Sequence, residues 1–187
     1  LDEPLPQSMW DDLQGRVLAA VQPGDAEGAK SALADIAATR AKFTKALERY
    51  YASAFAPLKQ IVEALEAGRS VTEKLLWSLP PERAGNVASP VEFTDLNLAV
   101  GNNPIMIEIE ATCNRFEMAH VSWATAGEYK PGQDMEFIAG YPANETPTYR
   151  VTIAPGGLPI TALRIQFPGG ASADLKQVRI HEIGIPQ

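Results

Sequence analysis

The sequence predicts an α+β chain in two parts, a helical hairpin or bundle over residues 1–86 followed by an antiparallel, jelly-roll-like β-sandwich over residues 87–187. Three observations predict it. Apolar residues recur at steps of three and four in the first part, the helical period, and at steps of two in the second, the strand period. Composition changes at the same point: Ala, Leu, Glu and Lys dominate the first part, while nine of the fifteen prolines and most β-branched residues fall in the second. The strand-like runs are separated by turn chemistry with no helical stretch between them, which argues for a sandwich over a βαβ sheet.

Residues 1–7 hold two prolines and are expected to be extended. Ser8 then reads as a helix N-cap with Asp11 three positions on, opening a helix to about Gln22 that Pro23-Gly24 ends. Trp10, Leu13, Val17 and Val21 give this helix its apolar face, and Gly15 is a weak point in it. A longer stripe follows through Leu33, Ile36, Phe43, Leu47, Tyr50, Ala54, Leu58, Ile61 and Leu65, and predicts a helix from about residue 25 or 26 to Ala67, stopped by Gly68. Pro57 lies inside that stretch and removes a backbone donor, so a kink or break is expected just before it. Ser70-Val71-Thr72-Glu73 reads as a capping box opening a short helix through Leu75, Leu76 and Trp77, ended by Pro80-Pro81.

After residue 87 the period is two. Ile105, Ile107 and Ile109 share one strand face and Glu108 and Glu110 the other; Val121 and Trp123 oppose His120 and Ser122; Tyr149, Val151 and Ile153 alternate with Arg150 and Thr152; Leu163, Ile165 and Phe167 alternate with Arg164 and Gln166. Pro131-Gly132, Pro155-Gly156-Gly157 and Pro168-Gly169-Gly170 supply turns. In the last strand Val178 and Ile180 keep one phase and Ile183 and Ile185 the other, which predicts a bulge at His181-Glu182 with both pairs buried.

Charge narrows the partners. The net charge is -7, and the second part carries most of it, with eleven acids against six bases compared with twelve against ten in the first. Such a surface repels phosphate backbones, and no basic cluster with interleaved aromatics is present, so neither nucleic acid nor an anionic membrane is an expected partner. No apolar run approaches the ~20 residues of a membrane span. Cys113 stands alone, without a second thiol for a disulfide, a redox pair or a multi-cysteine zinc site, and leaves the compartment open. The opening Leu-Asp-Glu-Pro has no Met and no signal-peptide pattern, as expected of a processed or trimmed start.

The second half resembles the galactose-binding-like, or discoidin-type, β-sandwich of carbohydrate-binding modules and accessory domains of bacterial glycan-handling proteins. The residues that carry the resemblance lie within 105–185: Ser122-Trp123 with a Gly-containing loop and Tyr129, Tyr149-Arg150-Val151-Thr152-Ile153, Ile160 to Pro168, and the closing Val178 to Ile185. These are patterns of packing and turns, so the resemblance implies fold before ligand. It implies an extracytoplasmic setting, periplasmic or secreted. The helical half resembles no known family.

Candidate chemistry is sparse. Glu108 and Glu110 project from one strand face, a spacing open to a carboxylate pair or a calcium site, but the ordinary reading is a solvated polar face, and Glu136 reads the same way. His120 and His181 could meet on adjacent strands with Glu117 or Glu182, yet no H-E-x-x-H spacing is present, and neither a metal nor a cofactor is expected. No G-x-S-x-G elbow or phosphate cradle occurs, and Cys113 reads as a small buried apolar residue. Sugar stacks on exposed rings with polar groups alongside, which makes the loop tyrosines Tyr129 and Tyr141, with Asn144, the ligand-binding candidates. Trp123, Phe137, Tyr149 and Phe167 fall on inward phases. Asn144-Glu145-Thr146 is an N-glycosylation sequon, which matters only in a eukaryotic secretory context.

A forty-residue helix would extend about 60 Å, longer than a small sandwich is wide. Either Pro57 folds it back, or part of its stripe is buried against another chain, with Phe43, Leu47 and Leu58 as interface residues. Two functions therefore compete: a non-catalytic binding module for glycan, or an assembly subunit that docks on a partner protein chain through its long helix. An enzyme is the weaker third.

Overall fold

The computed structural model describes residues 5–22 and 26–186; Pro23-Gly24, expected to end the first helix, lie outside the described residues. The chain is α+β. Among the described residues, three helices, α1 (Gln7–Val21), α2 (Ala26–Tyr50) and α3 (Ala52–Glu66), precede nine strands: β1 (Thr72–Ser78), β2 (Gly85–Val87), β3 (Val91–Phe93), β4 (Ile105–Cys113), β5 (Glu117–Thr125), β6 (Asp134–Ala139), β7 (Thr148–Ile153), β8 (Ile160–Gln166) and β9 (Ala173–Gly184). One sheet runs β1-β9-β4-β7 with β2 also on β9, the other β3-β8-β5-β6, and every pairing is antiparallel.

Alternation builds the inner core as expected. Ile105, Ile107, Ile109, Val121, Trp123, Phe137, Tyr149, Val151, Leu163, Ile165 and Phe167 all lie between the two sheets. A second core sits on the other side of the first sheet, where Trp10, Leu13, Val17, Ile36, Leu47, Leu58 and Ile61 close over Met106 and Ile183. The molecule is thus three layers, helices on sheet on sheet, and the centre of the first sheet, where Ile105 to Ile109 of β4 are all buried, is covered on both faces.

The second core explains the phase change in β9. Val178 and Ile180 face the inter-sheet core and Ile183 the helices, with Ile185 half-buried beside it, so no bulge is needed at His181-Glu182 and none is there. The register is regular across those residues on β4 and slips only between Glu110 and Ala111, opposite Lys176, where the buried residues change from Ala173 and Leu175 to Val178 and Ile180. A second slip, between Leu75 and Trp77, lies in β1.

Three helix expectations are corrected. Ser8 is exposed inside α1, whose N-cap is Pro6 without a side-chain cap bond, and Asp11 turns toward the sheet. Residues 72–78 form β1, not a helix: an isolated turn or two of helix cannot repay its nucleation cost, whereas β9 offers this segment a full ladder. The sheet therefore takes β1 and β2 from the stretch expected to be helical.

The long stripe is indeed broken, but at Tyr51 (φ -121, ψ 20), with a further kink at Phe43, and Pro57 sits within α3. The carbonyl that Pro57 deprives of its donor belongs to Ser53, an exposed residue that water can serve. Arg40 on α2 reaches Glu66 on α3 at 3.4 Å, although 26 residues of straight helix would separate them by about 39 Å. The chain thus folds back at Tyr51, and Gly68 (φ +72) ends α3 as expected. Phe43, Leu47 and Leu58, expected at an interface with another chain, are buried inside this layer, because the fold-back supplies their partners within the chain.

Candidate functional site

Helix α1 joins the helical layer to the sandwich through a polar row. Gln7, Asp11 and Gln14, spaced four and three apart, share one face beside the apolar one, and all three are buried. β7 is an edge strand, whose outward N–H and C=O groups need partners. The Arg150 N–H donates to Asp11 Oδ1 (2.8 Å) and the Arg150 carbonyl accepts from Gln14 Nε2 (2.7 Å), while Thr152 Oγ1 donates to Gln14 Oε1 (2.7 Å). Gln7 does the same for β6, the edge of the other sheet: its Oε1 accepts the Ile138 N–H (2.8 Å) and its Nε2 donates to Asp11 Oδ1 (2.9 Å). α1 thus stands in for a missing strand on both edges. Gly15 fits here, since a Cβ would lie 2.7 Å from Arg150 Nη1, where the guanidinium passes the helix to reach the Asp11 carbonyl (3.1 Å).

From Arg150 a charged chain crosses the first sheet. Its Nε donates to Glu108 Oε2 (2.9 Å), Glu108 Oε1 lies 2.7 Å from His181 Nε2, and His181 Nδ1 lies 2.7 Å from Glu73. Register sets this up, because Arg150 and Arg179 flank Glu108 directly and His181 lies one diagonal step away. Burial alone would lower the His181 pKa, but the two carboxylates outweigh it and hold the ring above its ordinary value. A cation donating on both sides fits the two short contacts. Burial alone would raise the Glu108 carboxyl, but His181 and Arg150 outweigh that and hold it below its ordinary range. Glu108 is therefore no solvated residue; the helices cover the face that alternation left polar. Every member of the row has a partner; it ties β7, β4, β9 and β1 of the first sheet to one another, and Arg150 alone reaches across to α1.

Where α1, the α2–α3 junction and β6 meet, a groove of about 940 Å³ opens. Tyr50 (45% exposed) and Phe116 (70% exposed) stand on its walls, Trp10 and Tyr51 pack against each other at 4.8 Å between ring centroids, and Tyr141 closes one side. Asp134 and Glu136, both exposed, project from β6 along the groove. The Ile138 N–H faces the free edge, so period two places the Glu136 amide and carbonyl on that edge as well. Tyr141 is tied from below: its hydroxyl donates to Asp11 Oδ2 (3.0 Å), and its ring meets Tyr149 edge-on at 5.6 Å. Burial pushes the Asp11 carboxyl up to about 7, against the lowering pull of the Arg150 N–H, Gln7 and Tyr141. Burial and the neighbouring Asp11 push the Tyr141 phenol up too.

The three residues expected to bind ligand do not come together. Tyr129 precedes β6 and Tyr141 follows it, which puts them at opposite ends of the strand. Tyr129 is half-buried with the Arg164 guanidinium 4.1 Å from its ring centroid, so one ring face is occupied. Asn144 is exposed in the β6–β7 loop and does not line the groove. Of the three, only Tyr141 does. His120 and His181 lie in different sheets on outward faces, so they do not meet, and among the described residues no cluster of His, Cys, Asp or Glu could hold a metal ion. Glu110 is half-buried, and Cys113 is half-buried with Sγ 3.6 Å from the Arg115 carbonyl. Gln7, Asp11, Gln14, Tyr50 and Phe116 were missed; the signal for the first three was a polar row flanking an apolar face, with a glycine beside it.

No protein-family model matches the sequence, and no curated protein matches it. Some solved structures align with part of the chain. BiXyn10A CBM1 in its apo form aligns at 10% identity over 57% of this chain and 97% of its own, with a TM-score of 0.42. The CBM36-1 domain of a multidomain xylanase from the hindgut metagenome of Trinervitermes trinervoides aligns at 13% identity over 59% and 95%, with a TM-score of 0.29. The sugar-binding EclA C-terminal domain aligns at 14% identity over 61% and 76%, with a TM-score of 0.24. Among the described residues no helix is long and apolar enough to cross a membrane.

Proposed function

We propose that this chain is a non-catalytic module that binds glycan in the groove between α1 and β6, as an extracytoplasmic accessory part of a glycan-handling protein. The observation that carries the reading is the make-up of the groove. The exposed rings of Phe116 and Tyr50, the latter with the Arg49 guanidinium 5.3 Å from its centroid on one side, and the Tyr141 wall stand beside the carboxylates of Asp134 and Glu136 and the outer edge of β6. A pyranose has an apolar face for the rings and hydroxyls for the carboxylates and backbone groups. The galactose-binding-like pattern of residues 105–185 points the same way. The charged set Glu73, His181, Glu108 and Arg150 lies outside the groove lining and is satisfied internally, and the Asp11 carboxyl beside the groove is fully occupied by Gln7, Tyr141 and the Arg150 N–H, which favours binding over turnover. The division between the helical segment and the sandwich falls at residues 67–71, before β1.

The test is calorimetric titration with cello-, xylo- and galacto-oligosaccharides. Binding should weaken about fivefold on Phe116→Ala and again on Tyr50→Ala, the worth of about 1 kcal/mol per stacked ring. Binding unaffected by these changes but removed by Tyr129→Ala would move the site to the β5–β6 loop, and no binding by any oligosaccharide would refute the reading.

A further inference from the structure

We propose that Asp11 is a positioning residue for the groove, fixing its Tyr141 wall so that ligand affinity follows Asp11 ionisation. This rests on reading the groove as the ligand site. Asp11 is 2% exposed and does not line the groove, but its two oxygens hold two parts of the groove's frame. Oδ2 accepts from the Tyr141 hydroxyl on the wall (3.0 Å). Oδ1 accepts from the Arg150 N–H of the β7 edge (2.8 Å) and from Gln7 (2.9 Å), whose other amide atom holds the Ile138 N–H on the floor strand.

As a carboxylate Asp11 is acceptor only, and all three donors have a place on it. Protonation turns one oxygen into a donor: where Oδ2 takes the proton, the Tyr141 hydroxyl changes from donor to acceptor in that bond, its own hydrogen turns away from Asp11, and the charge-assisted tie on the wall becomes a weaker neutral one. The surrounding groups set where this happens. From β7 the Arg150 guanidinium meets the Asp11 carbonyl (3.1 Å) and is itself held by Glu108. Tyr141, Tyr149 and Tyr51 all feel the Asp11 charge, Gln7 and Gln14 on its own helix are neutral, and Asp12 pairs outward with Arg16. Burial of Asp11 brings the exchange near neutrality, to about 7. Ligand that prefers the ordered wall must then release protons on binding below that pH.

The experiment uses the full chain and the neutral fluorophore N-phenyl-1-naphthylamine, which carries no charge of its own between pH 5.5 and 8.5. Its affinity is expected to be on the order of fivefold tighter at pH 8.5 than at 5.5, with a midpoint near that of the Asp11 carboxyl read by carbon-13 NMR. Asp11→Asn should flatten the profile with the fold intact by circular dichroism. Tyr141→Phe should flatten it too while leaving the Asp11 carboxyl titrating, which a merely structural Asp11 would not do. A wild-type profile that is already flat, or a slope that survives in Tyr141→Phe, overturns the inference. The glycan reading fails separately: probe binding with this profile and no oligosaccharide binding refutes that reading alone, while oligosaccharide binding with no pH dependence refutes the role of Asp11 alone.

Discussion

Replacing Glu108 by Gln removes one charge from the middle of the chain that crosses the first sheet while keeping side-chain volume. Glu108 is 6% exposed, lies 2.7 Å from His181 and 2.9 Å from Arg150, and has Arg179 at 3.9 Å. Breaking a buried ion pair by removing one partner costs about 3–5 kcal/mol, because the other charge stays buried. Here His181 keeps Glu73 and the Arg150 side chain is 22% exposed, so the lower end, about 3 kcal/mol, is expected. The pH dependence adds a signature. Glu108 is held below its ordinary value, so its contribution is present above the unfolded-state value of 4.5 and is lost as pH falls through the lower folded one. His181 is held above its ordinary value, so its contribution is complete below 6.5 and is lost as pH rises through the higher folded one. The gap between wild type and Glu108→Gln should therefore be widest between pH 4.5 and 6.5. Urea unfolding followed by circular dichroism across pH 4–9 measures it. A gap below about 1 kcal/mol at pH 6, or one that does not change with pH, would refute the reasoning.

Asp11 has the opposite sense from Glu108. Its carboxyl rises from 3.8 to about 7 on folding, so stability falls as pH rises between those values, and Asp11→Asn should be as stable as wild type or more so at pH 8, by up to a few kcal/mol, with the advantage gone at pH 4; thermal unfolding at the two pH values reads this. Gly140 has φ +73, and a Cβ there would overlap the Arg115 carbonyl, so Gly140→Ala should lower stability by about 2 kcal/mol or more in urea unfolding. Leu58→Ala should cost about 2–5 kcal/mol in the same assay and leave the mass by light scattering unchanged, because Leu58 packs within its own chain.

The inner faces of the sandwich were legible because alternation states which residues share a side. It does not state what covers the other side. Glu108 reads as part of a solvated face, yet Glu108 is buried, and so are Thr152 and His181 on the same side of the sheet. The clue was Ile183: an apolar residue on the polar phase of β9 signals a second buried face as readily as a bulge. The Ser70 capping box misled for a related reason, since a cap is local and the β9 edge that claims residues 72–78 is more than a hundred residues away. Pro57 announced a break that the chain makes at Tyr51, while Pro57 itself is accommodated in α3, where the carbonyl it leaves unpaired belongs to the exposed Ser53. The groove was illegible because Tyr50, Phe116, Glu136 and Tyr141 come from four separate segments. Their alignment depends on Gln7 and Asp11 docking α1 onto two strand edges.

Amide and aromatic chemical-shift mapping during titration with the oligosaccharide that binds best decides whether that docking builds a ligand site. Perturbations should concentrate on Tyr50, Phe116, Asp134, Glu136 and Tyr141, the walls of the groove. Perturbations confined to Tyr129 and Asn144, with the groove silent, would contradict the site proposed for this protein.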